Sequence, residues 1–329
     1  MKCPTLPILL TAVSLWGAAP LPAGARRAQV AWSRGQEYVP ISTWADAHGF
    51  EWHWLHREDT LQVAHRGSKA ALKVNARSLQ FNGIEIWLSF PVILRSGQPC
   101  LSRLDGESTL VPLLSNTMRG AQTKVKSICL DPGHGGKDPG YCVGSSQEKK
   151  YTLLLAQELR QQLTSAGFKV TLTRGSDRFI DLPVRPELAQ RQRADLFLSL
   201  HFNATEVARN SVQGAQVFCL TPPGASSTNA GGEGGGAGWF PGNRNNDQSL
   251  LLAYNLQKAL THTLSVEDHG VRRARFVVLR DAPMPAALVE AGFMSHPVEG
   301  KKILSSSYRH QLAQALTQGI VAYKEAMEH

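Results

Sequence analysis

The chain has 329 residues, of which 42% are hydrophobic and 7% aromatic. This composition is ordinary for a globular protein and excludes a chain too polar to fold, while the length allows two domains. The 35 Lys and Arg residues outnumber the 26 Asp and Glu residues, which gives a formal net charge of +9. Such a charge favours an anionic partner, but it does not distinguish nucleic acid, phospholipid and an acidic cell-wall polymer as that partner.

The first 25 residues have the layout of a secretory signal peptide. Lys2 precedes an apolar run over residues 6–19, and the small residues 23–25 stand just before Arg26. A membrane-spanning helix needs about 20 apolar residues, which is more than this run supplies. The pattern therefore predicts cleavage near Ala25, export to the periplasm or the cell wall, and no stable insertion in the membrane.

Four cysteines lie beyond the predicted signal peptide: Cys100, Cys129, Cys142 and Cys219. Export permits disulfides, but four cysteines in a chain of this length are too few for a disulfide scaffold. Their spacing matches no CxxC zinc or redox motif. We expect buried thiols, and the sequence leaves one disulfide open.

Residues 28–115 are expected to form a small α+β domain. The stretch from Tyr38 to Ala64 suggests a strand, a short helix and a tight strand pair, and further alternation with Asn-Gly and Ser-Gly turns follows. The four histidines of this segment fit surface or packing positions better than a metal site: His48, His53, His56 and His65. The segment resembles the small domain at the N-terminus of exported wall proteins and copper amine oxidases, without a copper site. Its ligand stays open between the cell wall and an activator protein.

The polar residues 116–126 indicate a linker, and strands alternating with helices follow over residues 127–329. The predicted strands are 127–131, 168–173, 195–200, 212–220, RFVVLR (275–280) and AALVEAGF (286–293). The predicted helices are 151–165, 184–193, 247–264 and 306–328. Apolar residues recur every three or four positions in the longer helices, as on a helix with one buried face. This alternation argues for a three-layer α/β domain with a mostly parallel or mixed sheet flanked by helices.

The segment 221–247 breaks this alternation because it is dominated by glycine. Ordering such a segment costs more chain entropy than ordinary sequence, so we expect a surface loop. It follows a predicted strand directly, and binding sites of α/β proteins are often built at strand ends. A flap on the substrate side and an inert insertion therefore both remain open.

The stretch ICLDPGHGGKDPG (128–140) places a lone histidine among glycines. It is not a phosphate-binding P-loop, because Asp131 stands where the first glycine is required and Lys137 is followed by Asp. The dinucleotide pattern GxGxxG also fails, because Asp138 occupies the third glycine position. A metal ligand fits the stretch better than either nucleotide motif, since glycines let the backbone turn tightly enough to aim the imidazole inward.

Polar residues that could complete a metal site stand at the ends of other predicted elements. Glu148 lies just before a predicted helix, His201 follows the buried strand DLFLSL, and Glu290 closes AALVE. Two histidines and one carboxylate form a catalytic zinc ligand set with a fourth position open, and Glu290 could accept a proton. Taken singly, each has another explanation: a hydrogen-bonded rim histidine, a helix-dipole carboxylate, or an ion pair of Glu290 with Arg272, Arg273 or Arg275. Spacing alone leaves the question open.

Four motifs, taken in order over about residues 126–327, resemble the zinc-dependent N-acetylmuramoyl-L-alanine amidases, cell-wall hydrolases of amidase type 3. The motifs are LDPGHGGKDPG, QEKKYTLLLAQELRQQL, LTRGSDRFIDLPVRPELAQRQRADLFLSLHFNA and PMPAALVEAGFMSHP. The resemblance implies that His134, Glu148 and His201 bind Zn²⁺ and that Glu290 is the catalytic glutamate. It also implies a peptidoglycan substrate rather than nucleic acid, cleaved between the lactyl group of N-acetylmuramic acid and L-alanine.

Some residues depart from the family pattern without removing a predicted ligand. Tyr141 and Cys142 stand where a small residue is usual, Pro186 is expected to interrupt a helix, and His296 replaces a common Asn. The glycine-rich loop replaces a helix that covers the zinc in some relatives. Two other functions stay open: a non-catalytic peptidoglycan-binding protein, and a zinc carboxypeptidase acting on the stem peptide.

Overall fold

The fold is described from a computed structural model, which covers residues 31–33, 36–115, 124–228 and 238–328. The predicted signal peptide, most of the predicted linker and the centre of the glycine-rich loop lie outside these ranges. Within them, no helix combines the length and the apolar character that crossing a bilayer requires.

The N-terminal part, up to Ser115, is rich in short strands. Its strands are β1 (Ala31–Ser33), β2 (Gln36–Pro40), β3 (Glu51–His56), β4 (Thr60–His65), β5 (Ser68–Lys73), β6 (Ser78–Phe81), β7 (Ile84–Trp87), β8 (Ile93–Arg95) and β9 (Gln98–Ser102). Helix α1 (Ile41–His48) follows β2, and a helical stretch closes the part with α2 (Arg103–Asp105), a π-helical turn (Gly106–Leu110) and α3 (Val111–Ser115). The sequence predicts a small α+β domain ahead of the α/β domain, and the structure has a small β-rich part there, with α1 and the closing helical stretch as its helices.

The second part alternates strands and helices. Its strands are β10 (Ser127–Pro132), β11 (Cys142–Val143), β12 (Ser146–Gln147), β13 (Lys169–Leu172), β14 (Leu196–Asn203), β15 (Ala215–Leu220), β16 (Asp268–Ala274) and β17 (Ala286–Phe293). Its helices are α4 (Glu148–Ser165), α5 (Val184–Arg191), a 3₁₀ turn (Pro241–Asn245), α6 (Asn246–Leu264), α7 (Val277–Arg280), α8 (Glu299–Leu304) and α9 (Ser306–Glu328).

These elements form three layers, as predicted. Helices α4, α6 and α9 cover one face of the sheet, and α5 and α7 cover the other. The helices pack against the sheet because each has one apolar face to bury. In α4, for example, the buried residues Tyr151, Leu155 and Leu159 recur at the spacing of one helix face. Strands β13, β10, β14 and β17 are parallel, whereas β15 runs antiparallel to β17, so the sheet is mixed.

The sheet continues from the second part into the first. Its order is β13-β10-β14-β17-β15-β16-β7-β6-β5-β4-β3, which makes eleven strands. β7 pairs with β16 through Ile86 and Val271, and the rings of Phe81 and Tyr254 lie 5.0 Å apart across the junction. The domain boundary expected at residues 116–126 stays a prediction, but on either side of it the strands share one sheet.

The prediction of a strand over RFVVLR was wrong. Residues 277–280 form the single helical turn α7, and the strand lies just before it, as β16. A short apolar run cannot distinguish a strand from a buried helical turn. The sequence pattern did not predict β16 because the strand carries Arg272 and Arg273, and charged residues are not typical of a buried strand. Arg273 is nevertheless buried.

The four cysteines in the described residues are free thiols. Cys100, Cys129 and Cys219 are buried, in agreement with the prediction for buried thiols, whereas Cys142 is exposed in the short hairpin of β11 and β12.

Candidate metal centre

The strand ends bring the predicted site residues to one edge of the sheet. His134 follows β10, His201 lies near the end of β14, and Glu290 lies in β17 directly opposite His201. Because these three strands are parallel and adjacent, their carboxyl ends meet at the same edge. Glu148 is the first residue of α4, where a carboxylate is favoured by the helix dipole.

The three predicted ligands converge. His134 Nε2 lies 3.1 Å from Glu148 Oε2, and His201 Nδ1 lies 3.2 Å from Glu148 Oε1. One ligand atom from each residue lies within 4.8 Å of the other two. The two imidazole rings meet edge to face, with centroids 4.8 Å apart.

This arrangement fits a metal ion of the size and preference of Zn²⁺. In a tetrahedral site with bonds of about 2.0–2.1 Å, ligand atoms lie about 3.3 Å from one another. Here one donor atom from each residue lies within 4.8 Å of the others, so the three side chains surround a space in which one ion could contact all of them. The donor set, two imidazoles and one carboxylate, is one that catalytic zinc sites use. The residues present therefore fit the ion that the sequence resemblance implies.

The glycines of the His134 loop allow this convergence. A Cβ atom on Gly133 would lie 2.3 Å from Cε1 of His201, so any side chain there would displace the ring. A Cβ atom on Gly140 would lie 2.6 Å from Glu148 Oε2 and 2.7 Å from His134 Cδ2. The loop is rich in glycine because its backbone lies directly against the ligands.

His134 itself has a left-handed backbone conformation, with φ of +60°. For a residue other than glycine this conformation costs on the order of 1–3 kcal/mol, and it persists only where the surroundings hold it. Its carbonyl accepts a hydrogen bond of 3.0 Å from Arg185 Nη2, and its Nδ1 lies 2.8 Å from Asp138 Oδ2. The histidine is thus fixed at both its backbone and its ring.

Asp138 is a site residue that the sequence patterns did not point to. Its second carboxylate oxygen accepts a hydrogen bond of 3.1 Å from the backbone N–H of Gly140. A carboxylate on the outer nitrogen of a metal-binding histidine fixes the ring and its tautomer. The available signal was the acidic residue four positions after His134 within the same loop.

The electrostatics of the cluster favour an ionised Glu148. Burial alone would raise the pKa of Glu148, but hydrogen bonds from His134 and His201 outweigh it and lower the pKa below its ordinary value. The backbone N–H groups of Tyr141 and Phe202 also donate to this carboxylate, at 2.9 and 3.1 Å. Burial alone would lower the pKa of His134, but contacts with Glu148 and Asp138 outweigh it and raise the pKa.

Glu290 is in the opposite situation. Its Oε2 atom is buried and has no hydrogen-bond partner among the residues that the structure describes. Burial, and next the negative charge of Glu148, raise the pKa of Glu290 well above its ordinary value. Glu290 is half-buried as a residue, and a carboxyl group with one buried oxygen and a raised pKa is a candidate for acid–base chemistry.

The glycine-rich segment leaves the sheet far from this edge. β15 runs antiparallel to β17, so Gln216 pairs with Glu290 at the site, and Phe218 pairs with Leu288 further away. The segment 221–247 therefore begins at the opposite edge of the sheet. Its described start packs against β16 through Thr228, whose hydroxyl donates to Arg273 O. The centre of the segment, residues 229–237, lies outside the described residues, so the choice between a flap and an inert insertion stays a prediction.

The departures from the family pattern have local explanations. The expectation that Pro186 interrupts a helix was wrong. Pro186 lies in the first turn of α5, where proline is tolerated, and the helix continues to Arg191. His296 is buried; its Nδ1 accepts a hydrogen bond from the backbone N–H of Glu299, and its Nε2 lies 3.2 Å from Asn210 O. Cys142 is exposed in the hairpin of β11 and β12, which ends one residue before Glu148.

The fold and the site define a mixed-sheet α/β protein with a candidate catalytic metal centre at its strand ends. The chain belongs to the N-acetylmuramoyl-L-alanine amidase family, whose sequence pattern matches residues 128–322. It is 37% identical over 227 residues to the N-acetylmuramoyl-L-alanine amidase AmiC of Neisseria meningitidis serogroup B, a match that covers 62% of this chain and 54% of that protein.

Two further comparisons agree. The chain is 30% identical over 264 residues to the amidase AmiA of Escherichia coli K12, which covers 70% of this chain and 90% of that protein. It resembles the crystal structure of an N-acetylmuramoyl-L-alanine amidase from Clostridium difficile 630, with a TM-score of 0.52 and 30% identity, over 62% of this chain and 98% of that one. The chain spans about half the length of the AmiC relatives that it matches.

Proposed function

We propose that this protein is a zinc-dependent hydrolase that cleaves the amide bond between the lactyl group of N-acetylmuramic acid and L-alanine in peptidoglycan. The observation that carries the proposal is the convergence of His134, Glu148 and His201. Glu290 lies across from His201, and its Oε2 atom has no hydrogen-bond partner among the described residues. Membership of the amidase family supports the substrate. The proposal includes export to the periplasm or cell wall, where peptidoglycan lies.

In this proposal His134, Glu148 and His201 hold the metal, and Glu290 moves the proton. Zn²⁺ in such a site is a Lewis acid that polarises a carbonyl group and lowers the pKa of water to about 7. Glu290 takes a proton from the attacking water as the water oxygen bonds to the lactyl carbonyl carbon. It returns that proton to the alanine nitrogen as the carbon–nitrogen bond breaks, since an unprotonated amide nitrogen is a poor leaving group.

The environment of Glu290 suits this role. Its raised pKa means that the carboxyl group can keep a proton until the leaving nitrogen needs it. A bound dication would oppose the shift by favouring the carboxylate, so the group can work in both directions. Asp138 supports the chemistry indirectly, because it orients the ring of His134.

A carboxypeptidase needs a cation that binds the terminal carboxylate of its substrate. The arginines that the sequence offered for this purpose are engaged elsewhere. Arg272 lies over the Trp87 ring at 4.4 Å, Arg273 donates to Ser108 O at 2.8 Å, and Arg275 donates to Ala225 O at 2.5 Å. These contacts favour the amidase over the carboxypeptidase.

The test is digestion of purified peptidoglycan by the metal-loaded protein, with and without a chelator. We expect mass spectrometry to show intact stem peptides with free L-alanine amino termini, released from sugar chains that are otherwise whole. Activity should disappear with the chelator and return with Zn²⁺, and metal analysis should find about one zinc ion per chain. Zinc binding without any release would favour the non-catalytic wall-binding protein, and trimmed stem peptides still attached to sugar would favour the carboxypeptidase.

A further inference from the structure

Two buried arginines hold the backbone of the loop that carries His134. Arg174, which follows β13, and Arg185, in the first turn of α5, are among the largest fully buried side chains of the described residues. Arg174 Nε donates to Pro132 O at 2.9 Å, Arg174 Nη2 donates to Gly133 O at 2.7 Å, and Arg185 Nη2 donates to His134 O at 3.0 Å. Three consecutive carbonyls of the loop are thus bound by guanidinium groups.

Arg174 also connects this loop to the helix that begins with Glu148. The same Nη2 group that binds Gly133 O donates to Lys149 O at 2.8 Å and to Thr152 Oγ1 at 3.1 Å, both in the first turns of α4. Thr152 in turn donates to Gly133 O at 2.9 Å. One planar group therefore sets the separation between the backbone next to His134 and the helix that presents Glu148.

Arg185 connects the loop to the strand that carries His201. Its Nη1 group forms an ion pair of 3.0 Å with Asp131, a fully buried residue of β10. Asp131 also accepts a hydrogen bond of 2.8 Å from Ser199 Oγ, and Ser199 lies two residues before His201 on β14. Through this carboxylate, Arg185 fixes the His134 loop against the strand of the other imidazole.

We infer that Arg174 and Arg185 are positioning residues that set the distances between the three proposed metal ligands. Arg174 sets the separation of His134 from Glu148, and Arg185 sets that of His134 from His201. Both act on the backbone of the loop. Lysine cannot replace them, because its single ammonium group lacks the planar fork that binds several carbonyls at once. The inference rests on the proposed function, since it requires that the cluster bind a metal ion.

The test measures the dissociation constant for Zn²⁺ by competition with a chromophoric chelator, using Arg174→Lys and Arg185→Lys in the full chain. We expect each variant to bind Zn²⁺ about 10–100-fold more weakly than the unmodified protein, as for other groups that orient metal ligands. Arg273→Lys is the matched control. Arg273 is equally buried and also donates to a backbone carbonyl and a threonine hydroxyl, those of Ser108 and Thr109, but it lies on β16, away from the ligands.

Metal affinity separates positioning from a general role in stability. The inference is overturned if Arg174→Lys and Arg185→Lys lower the melting temperature as Arg273→Lys does and yet bind Zn²⁺ within twofold of the unmodified protein. If either variant does not fold, Thr152→Val removes one partner of Arg174 with little change in volume and should weaken Zn²⁺ binding about threefold to tenfold. Unchanged affinity in that variant also overturns the inference for Arg174. A failure of the unmodified protein to bind Zn²⁺ would instead overturn the proposed function.

Discussion

At the scale of single residues, Glu290 and Glu148 show how one cluster can shift the pKa values of two carboxyl groups in opposite directions. Glu148 receives hydrogen bonds from two backbone N–H groups and contacts two imidazoles, all of which favour its charged form. Glu290 has no such donor on Oε2 among the described residues and lies near the charge of Glu148. Pairs of carboxyl groups whose pKa values are driven apart are typical of acid–base catalysts.

Glu290→Gln separates proton transfer from metal binding. Glutamine has nearly the same shape but cannot exchange a proton, so the rate of release of amino termini from peptidoglycan should fall about 10²–10⁴-fold. Zinc content should stay unchanged, because Glu290 is not one of the proposed ligands. His134→Ala and His201→Ala serve as the contrasting variants, since each should lose both zinc and activity. Full retention of metal and activity in either histidine variant would contradict the ligand assignment.

The thiols offer a second test at this scale. Burial raises the pKa of Cys129 to about 12, so its thiol stays protonated and unreactive at pH 8, and burial also raises the pKa of Cys100 and of Cys219. Cys142 is exposed. A chain that begins at Arg26 should therefore show one thiol that reacts rapidly with Ellman's reagent, and three more only after unfolding. Cys142→Ser should abolish the rapid phase, and fewer than four thiols under denaturing, non-reducing conditions would indicate a disulfide.

At the scale of elements, the loop between β10 and α4 positions the site by close backbone approach. Gly133→Ala places a methyl group against the ring of His201 without any demand for a left-handed backbone, so its effect is steric. We expect Zn²⁺ affinity to fall at least about tenfold, because the ring must move away from Glu148. Gly175→Ala is the matched control, since its added Cβ would meet no atom within 4 Å. Equal affinities in the two variants would show that the ring can move without loss.

The same scale shows what the sequence could predict. The helices α4, α6 and α9 have regular apolar stripes, and the strands β10, β14 and β17 have apolar runs followed or interrupted by a site residue, so both were identified. β16 was missed because Arg273 is buried by partners from the N-terminal part, Ser108 and Thr109, which no local pattern reveals. The sequence also could not predict that β15 runs antiparallel to β17, and therefore could not predict at which edge of the sheet the glycine-rich segment begins. Asp138 and the two arginines are defined by contacts across the fold rather than by spacing.

At the scale of the whole molecule, hydrogen bonds and a shared core join the N-terminal part, up to Ser115, to the second part, which is called the amidase part because it contains the residues 128–322 that match the amidase family. Trp87 Nε1 donates to His269 O at 3.3 Å, and the backbone N–H of Glu85 donates to Asp268 Oδ2 at 2.8 Å. Buried apolar residues of both parts belong to one continuous core, which includes Leu61 and Leu72 as well as Leu256 and Leu316. An extended sheet with a shared core favours a single cooperative unit over two independent domains.

Leu61→Ala tests this cooperativity, because Leu61 is fully buried on β4, four strands away from the amidase part. Removing its side chain should lower the free energy of unfolding by about 2–5 kcal/mol. If the sheet unfolds as one unit, the whole protein should show a single calorimetric transition at a lower temperature. The free energy of opening that protects the amide hydrogens of α9 from exchange should then fall by the same amount as the free energy of unfolding. Gln62→Ala, at the next and half-buried position of the strand, should change neither. Two separate transitions, with α9 protected as before, would show that the N-terminal part unfolds alone and that its junction through β7 and β16 is weak.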